Sequence, residues 1–483
     1  MSKKILNFLF SPALLIIVFI VGVAVSSLIP SSRIYLLIIV ILSVSAIVLV
    51  FFKKKFLISC LLIFLMGFLY FWIFSTSLSQ ITPGCNEVRI SSNPQESKGL
   101  TTFSVQKSSS QRAFVSLRLS EKLNYSDKIN LCFNQENISE VTGNYSLYLK
   151  ARYKTSEVIK NPEVEKVKEG ESPLKFLYLF SAYVSTALSK IFKGDAAVLA
   201  KGLILGGTAG FSDSFVDSLR KSGTSHLVAV SGYNVSIITI VLFQMIRQGF
   251  SRRSAIITTL IVLAGFCLLT GATASVLRAS LMGLFYILAK IIGRKSAVTN
   301  GLFVAALIMI LLNPYSIFDV GFELSFAATL GLILLEEPLR IIFNRFAKIP
   351  EIILTGATAT LAAQLFTLPI LLFQFNQISL LAPIANILIL PFIPLAMLMV
   401  LITFIIYQIL PIAGIFVGGL TQPILDYVMI VIKFFGGFSF SALTVDASSW
   451  IYLILLYAVV IFVTVLIQDK AKRISRNLHH EPI

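Results

Sequence analysis

The residues of this chain with chemical potential are polar side chains set inside apolar runs. His226, Ser231, Tyr233 and Asn234 open one such run, in SHLVAVSGYNVS. Arg278 lies in GATASVLRASLMG, and Asp319 and Glu323 lie in IFDVGFELSFAATLG. Gln364 shares a run with Pro369, and Asn386 shares another with Pro391 and Pro394. Lipid offers such groups no partners, so they must turn toward protein or trapped water.

Helical geometry sorts these residues into faces. His226 and Tyr233 fall nearly on one face, and Ser231 and Asn234 share another nearby, which suits a water-filled path or a helix–helix seam. His226 is either part of that path or a capping histidine bonded to backbone. Arg278 either snorkels to the interface or points inward. Pointing inward, it would contact phosphate bidentately or pair with Glu323. Asp319 and Glu323 are four apart and so share one helix face, where a carboxylate pair would hold a cation, relay protons or offset Arg278. Alternatively Asp319 caps the helix. The prolines beside Gln364 and Asn386 predict interrupted helices of the kind that line polar sites in transporters.

Several chemistries are disfavoured. A serine–histidine pair would have to use His226 and Ser231, which lie about 140° apart around one helix. No GxxxxGK[ST] phosphate loop occurs, and GGTAGFSDS lacks its lysine. The chain has 3 histidines, His226, His479 and His480, too few for a histidine-rich metal cluster. We therefore expect no catalytic residues, no metal and no cofactor, and a protein that is not an enzyme.

The elements that must hold these residues are membrane helices. Hydrophobic residues make up 56% of the chain, and apolar runs reach the roughly 20 residues needed to cross a bilayer. Three runs, Ile5–Leu28, Ile34–Phe52 and Phe56–Ser75, precede a polar segment, and further runs lie between His226 and Ile467, for about 12 spans in all. The first run reads as a retained helix rather than a signal peptide, because no small-residue cleavage site follows it. The single run Leu381–Tyr407 reads as one of the spans. The formal net charge of +17 is concentrated beside the runs, as at Lys53–Lys55, Arg252–Arg253, Arg294–Lys295 and Lys470–Arg476. By the positive-inside rule these clusters put both termini in the cytoplasm, leaving Lys433 as the one misplaced cation.

Residues 78–172 follow a different pattern and are expected outside the cytoplasm. Short alternating runs at Val88–Ser92, Thr101–Lys107, Arg112–Ser120, Lys128–Asn134 and Tyr145–Arg152 predict about five antiparallel strands. An oligonucleotide-binding (OB-like) β-barrel is one closure for that count. Cys85 and Cys132 in this segment are expected to form a disulfide, the alternative being two buried thiols. Asn161–Glu171 reads as a charged linker. The fold class is thus a polytopic α-helical membrane protein with an inserted small extracytoplasmic β-barrel domain. Its parts are N-terminal helices (1–77), the β domain (78–172), an interfacial helix and basic entrance with Arg220 and Lys221 (173–225), a transmembrane core (226–468) and a basic tail (469–483).

Four ordered blocks resemble the ComEC-type competence proteins. LILGGTAGFSDSFVDSLRKSGTSHLVAVSGYNV is similar to that family's opening motif, and TGATASVLRASLMG to the segment holding its membrane arginine. LLNPYSIFDVGFELSFAATLG and LPILLFQFNQISLLAPIANILILP resemble its third and fourth blocks. The resemblance implies an inner-membrane conduit for single-stranded DNA in natural transformation, with His226, Ser231, Asn234, Arg278, Asp319, Glu323, Gln364 and Asn386 along the pathway. It implies partners that supply an external DNA receptor, a nuclease and a cytoplasmic motor. Asn234 stands where family members commonly carry histidine. The metallo-β-lactamase-like nuclease domain of many relatives is not expected here. Two other readings are weighed against this one. The polar misfits would also suit a secondary transporter or lipid-linked glycan flippase, and AVSGYN is superficially like the GxSG motif of an intramembrane serine protease. The sequence leaves the oligomeric state open.

Overall fold

The computed structural model describes residues 12–27; 55–228 apart from 78, 93, 98–99, 109, 119–122, 142, 156, 171 and 207–209; 232, 235, 244 and 246–249; 251–291; 298–346; 350–438; 441–445; and 449–478. Two compact units divide it, Met1–Lys175 with Phe285–Asp319, and Phe176–Leu284 with Val320–Ile483.

In the first unit, helices α1 (Pro12–Ser27) and α2 (Lys55–Ser77) pack backbone to backbone. A Cβ on Gly22 would lie 2.2 Å from the Phe64 carbonyl oxygen, and one on Gly67 would lie 2.2 Å from that of Phe19. Reciprocal glycines of this kind are how apolar helices associate where lipid removes the hydrophobic drive. The Ser26 hydroxyl then donates to the Phe68 carbonyl across the seam at 2.9 Å.

The β domain starts from alternation. In β1 (Gly84–Ile90), Asn86, Val88 and Ile90 are buried and their neighbours exposed, as a half-buried strand requires. With β3 (Leu100–Gln106), β4 (Arg112–Leu117) and β5 (Lys128–Phe133), this strand encloses a core that includes Phe103, Val115, Ile129 and Leu131. Four short strands extend the sheet: β2 (Gln95–Ser97), β6 (Ile138–Glu140), β7 (Glu157–Lys160) and β8 (Glu163–Lys168). The order is β6-β7-β4-β3-β1-β5-β8, with β2 on β3, and β4–β7 is a parallel pair. Among the described residues no ladder joins β6 to β8, so the sheet there is open and mixed rather than the closed antiparallel barrel expected.

Two other expectations for this segment are corrected. Residues Tyr145–Arg152 are not a strand but lie within helix α3 (Gly143–Tyr153). Leu149 is buried there against Phe114 and Val158, with Tyr153 one turn on, a helical spacing that partial alternation obscured. The charged linker is largely β8, whose Val164 sits opposite Leu131 of β5. Its alternating Glu and Lys suit an edge strand, where charge discourages pairing with other chains.

Register brings the two cysteines together. Cys85 of β1 lies directly opposite Cys132 of β5, and the two form a disulfide. At the other end of β5, fully buried Asp127 ties three segments. Its carboxylate accepts from the Asn124 N–H at 3.0 Å and the Gly170 N–H at 3.2 Å. It also pairs with Lys166 at 3.3 Å and Lys175 at 3.4 Å. Burial alone would raise its pKa, but the two N–H donors and Lys166 outweigh that and hold it below the ordinary carboxylate value.

Helix α3 also fixes the sheet to apolar helices of its unit. The Asn313 side chain donates to the Lys150 and Ala151 carbonyls at 3.1 and 2.7 Å, closing the carbonyl end of α3. Asn313 directly follows helix α10 (Val298–Leu312) and caps the short turn Pro314–Phe318.

The second unit is helical. It holds α4 (Pro173–Ile191, from Phe176 on), α5 (Gly194–Leu205), α6 (Asp213–Lys221), α7 (Ser225–Val228), α8 (Arg252–Leu269) and most of α9 (Ala274–Ile291). The remainder are α11 (Val320–Phe346), α12 (Glu351–Phe375), α13 (Ala382–Ile389), α14 (Ile393–Ile409), α15 (Pro411–Gly436) and α16 (Trp450–Leu478). A core including Leu188, Leu203, Phe215, Ile393, Val400 and Leu425 joins α4, α5, α6, α14 and α15. The run Leu381–Tyr407, expected as a span interrupted at its prolines, is two helices, α13 and α14, set at 45°. Pro391 and Pro394 each remove a backbone donor there.

Among the described residues, Ser59–Ser77, Ile353–Phe375, Pro411–Gly436 and Ile451–Arg476 are long and apolar enough to cross a membrane, and the bent pair would make a fifth crossing. The chain is a helical membrane protein carrying a β-sheet domain. The expected run Ile34–Phe52 lies outside the described residues.

Cys85→Ser should destabilise the β domain by about 4 kcal/mol, the loop-closure entropy of a bridge of this span, and non-reducing peptide mapping should recover Cys85 linked to Cys132. A depressed Asp127 pKa contributes stability that is complete above the unfolded value of about 3.9 and is lost as pH falls through the folded value. Hydrogen-exchange protection at β5 and β8, corrected for the intrinsic rate, should therefore fall below about pH 4 in the native chain. Asp127→Asn should exchange faster at neutral pH and show less of this acid dependence.

Candidate functional site

Arg278 sits one turn into α9 and is buried to 8% exposure. It points inward. Its Nη1 donates to the Ser325 carbonyl and to the Thr329 hydroxyl, both on α11. Thr329 in turn donates to the same Ser325 carbonyl at 2.8 Å, so hydroxyl and carbonyl form one acceptor pair a helical turn apart. Nη2 fills the space beside Gly232, where a Cβ would stand 2.3 Å from it. Nε is buried and has no hydrogen-bond partner among the described residues. A guanidinium fixed in this way presents an unsatisfied donor where water is scarce, which suits an anion such as phosphate.

Glu323 does not partner Arg278. It lies in the first turn of α11, and the Gln374 amide of α12 approaches its carboxylate at 3.4 Å. Asp319 has extended backbone and immediately precedes α11, so it occupies the capping position and does not share a helical face with Glu323. Gln364 is half-buried in the middle of α12, which runs unbroken through Pro369, so the interruption expected there does not occur. Asn386 of α13 is 2% exposed, and its Oδ1 has no hydrogen-bond partner among the described residues. Ser231, Tyr233 and Asn234 lie outside the described residues.

A second convergence surrounds the basic segment. Helix α6 buries Phe215 and Leu219 and exposes Arg220. Lys221 pairs with Asp217 at 2.8 Å, one turn earlier. The chain then turns at Gly223, whose φ of +69° favours glycine. A Cβ there would lie 2.4 Å from that of Ala382, so only glycine lets this turn seat against α13. Ser379 locks the contact by donating to the Lys221 carbonyl at 2.6 Å, and Ser222 and Thr224 bond each other at 2.7 Å with both residues fully buried. His226 follows on α7 with an exposed side chain, and its imidazole N–H donates to the Gly223 carbonyl. That bond is of the backbone-capping kind.

The same end of the unit holds a two-stranded ladder, β9 (Gln377–Ser379) on β10 (Ala442–Thr444). Gly436 at the end of α15 meets the Ser218 backbone, where a Cβ would come within 2.7 Å. Lys433, the cation misplaced by topology rules, stands 3.6 Å from Asp195 and 5.5 Å from the centre of the Phe215 ring. Local pairing accounts for its position.

Sequence reasoning did not single out Gly223, Gly232, Ser325, Thr329 or Ser379. A signal existed for Thr329, a hydroxyl on an apolar helix, but not for the Ser325 acceptor, which is a backbone carbonyl. Partners of the glycines were not readable, because close approach is a property of two helices together. No group of three or more His, Cys, Asp or Glu suited to a metal occurs among the described residues.

The guanidinium contact predicts coupling between Gly232 and Arg278. Gly232→Ala should cost about 1–3 kcal/mol by overpacking. Combined with Arg278→Lys, whose shorter head vacates that space, the two losses should fall short of their sum by more than about 0.5 kcal/mol. Additive losses in thermal or denaturant unfolding of the purified protein would refute the contact.

Comparison with known proteins places this site in a family. Residues 203–470 match the family described as Competence protein. The chain is 30% identical over 236 residues to ComE operon protein 3 of Bacillus subtilis (strain 168), an alignment covering 48% of this chain and 30% of that relative. It therefore spans less than a third of the relative's length. No solved structure matches it significantly. The matched region is more than half of the chain and contains Arg278, Ser325, Thr329, Gly223, Gly232 and Asn386, so the chain belongs to the Competence protein family.

Proposed function

We propose that this protein is a conduit in the bacterial cytoplasmic membrane through which single-stranded DNA enters the cell during natural transformation. The observation that carries the reading is Arg278. A guanidinium held inward by Ser325 and Thr329, with a buried donor to spare, supplies a fixed positive point for a passing phosphate. Family membership gives that phosphate a source in DNA taken up for competence.

The remaining parts have places in this account. The positive-inside rule sets both termini in the cytoplasm and the β domain outside. The segment around Arg220 and Lys221, seated on α13 through Gly223, forms the outer entrance. His226 follows it in the chain, with Glu323, Gln364 and Asn386 on α11, α12 and α13 and Asp319 capping α11. The protein acts without catalysis of its own. An external receptor, a nuclease and a cytoplasmic motor act as partners, and the motor supplies the energy.

The bent pair α13–α14 with buried Asn386 favours a second reading, a secondary transporter, since broken helices build ion sites at membrane depth. Measuring labelled DNA in a transformable host separates the two. Deleting the gene should abolish cytoplasmic entry and leave surface binding intact. Arg278→Ala should cut entry roughly tenfold or more at normal protein level, the loss expected of one charge-assisted contact. Undiminished entry in the deletion strain would exclude the conduit.

A further inference from the structure

Three cations gather where the β domain meets apolar helices of its own unit. Lys150 and Lys154 stand one turn apart at the end of α3, and Arg112 opens β4 within electrostatic range of Lys154. Lys150 lies 5.5 Å from the centre of the Tyr315 ring, and Lys154 the same distance from that of Phe74. Lys154 also donates to the carbonyl of Leu312, the last residue of α10, at 3.2 Å. All three side chains are partly buried, and Arg112 Nε is buried with no hydrogen-bond partner among the described residues. No ion pair among the described residues involves any of the three. Burial lowers the pKa of both lysines, and the Arg112 charge adds to the effect on Lys154.

Neighbouring residues fix the level of this cluster. Phe74 lies near the end of the membrane-length helix Ser59–Ser77, and Leu312 ends the apolar α10. Tyr70 donates to the Leu311 carbonyl at 2.7 Å, and Phe71 packs edge-on against Tyr315 with centroids 5.0 Å apart. Rings gathered at helix ends mark the boundary between hydrocarbon and headgroups. Ile73, Leu311 and Leu312 are exposed around them, at 60%, 48% and 58%, and acyl chains are what would cover them. Lysine stems lying along apolar surface with their heads at this level reach the phosphates of lipids.

We propose that Arg112, Lys150 and Lys154 form a binding site for the phosphate headgroup of an anionic phospholipid. The headgroup compensates three gathered charges and braces the β domain at the membrane surface. This site is independent of the DNA pathway at Arg278.

The test uses the full chain purified in detergent and titrated with phosphatidylglycerol or phosphatidylcholine, with binding read by native mass spectrometry. Phosphatidylglycerol should bind the native chain roughly tenfold or more tightly than phosphatidylcholine. Lys150→Gln combined with Lys154→Gln should remove that preference, and the corresponding arginine pair should retain it. If the glutamine pair does not fold, Arg112→Gln, on the strand, should weaken the preference in its place. An unchanged preference in the glutamine variants overturns the site. So does a result in which a 20-nucleotide oligothymidylate, rather than phosphatidylglycerol, loses binding, because the patch would then be a nucleic-acid contact.

Discussion

A charge buried among apolar helices must be surrounded by groups that satisfy it, and the Arg278 guanidinium, 8% exposed, imposes that demand on the helical unit. An arginine cannot shed its proton to escape the penalty. Its neighbours therefore have to supply acceptors at fixed positions, and α11 does so with the Ser325 carbonyl and the Thr329 hydroxyl. Gly232 leaves the room that the other end of the fork needs. Residues from three of the ordered sequence blocks are thereby committed to one point. The fourth joins through α12 and α13, where Gln374 reaches Glu323 and Ala382 receives Gly223.

Glycines perform the same task elsewhere by letting backbones meet. A Cβ on Gly331 of α11 would come within 2.3 Å of the Ala362 carbonyl oxygen of α12. Gly22 and Gly67 do likewise for α1 and α2, and Gly418 leaves space for Ile191 at 2.5 Å. Lipid is as apolar as leucine, so burying more leucine would not select these contacts, whereas close van der Waals packing does. The polar groups are then held by a scaffold whose shape depends on missing side chains.

How much of this was legible in the sequence depended on whether a feature was local. Strands β1, β3, β4 and β5 were readable from alternation, and the cysteine pairing from the compartment assigned to residues 78–172. Residues 145–152 misled because Leu149 and Tyr153 follow a helical period inside a segment that also alternates. The bend between α13 and α14 was foreshadowed by Pro391 and Pro394, yet the run was apolar enough to pass for one span. Arg278 was recognised as a misfit, but its partner was not. Both Glu323 and the Ser325–Thr329 pair lie near in the chain, and only the rotation of α11 against α9 selects between them. Asp319 shows the same limit, since one residue's shift in a helix start converts a face-sharing carboxylate into a cap.

The central claim is that transported DNA passes the face of α9 that carries Arg278. Met282 lies one turn further along that face, whereas Ile261 of α8 is 66% exposed and would face lipid. A photo-crosslinking amino acid placed at each position in a transformable host, followed by irradiation during uptake of labelled DNA, tests the claim directly. Crosslinks to the incoming strand at position 282 and none at 261 are predicted. Equal labelling at both positions, or none at 282 while uptake proceeds, would contradict it.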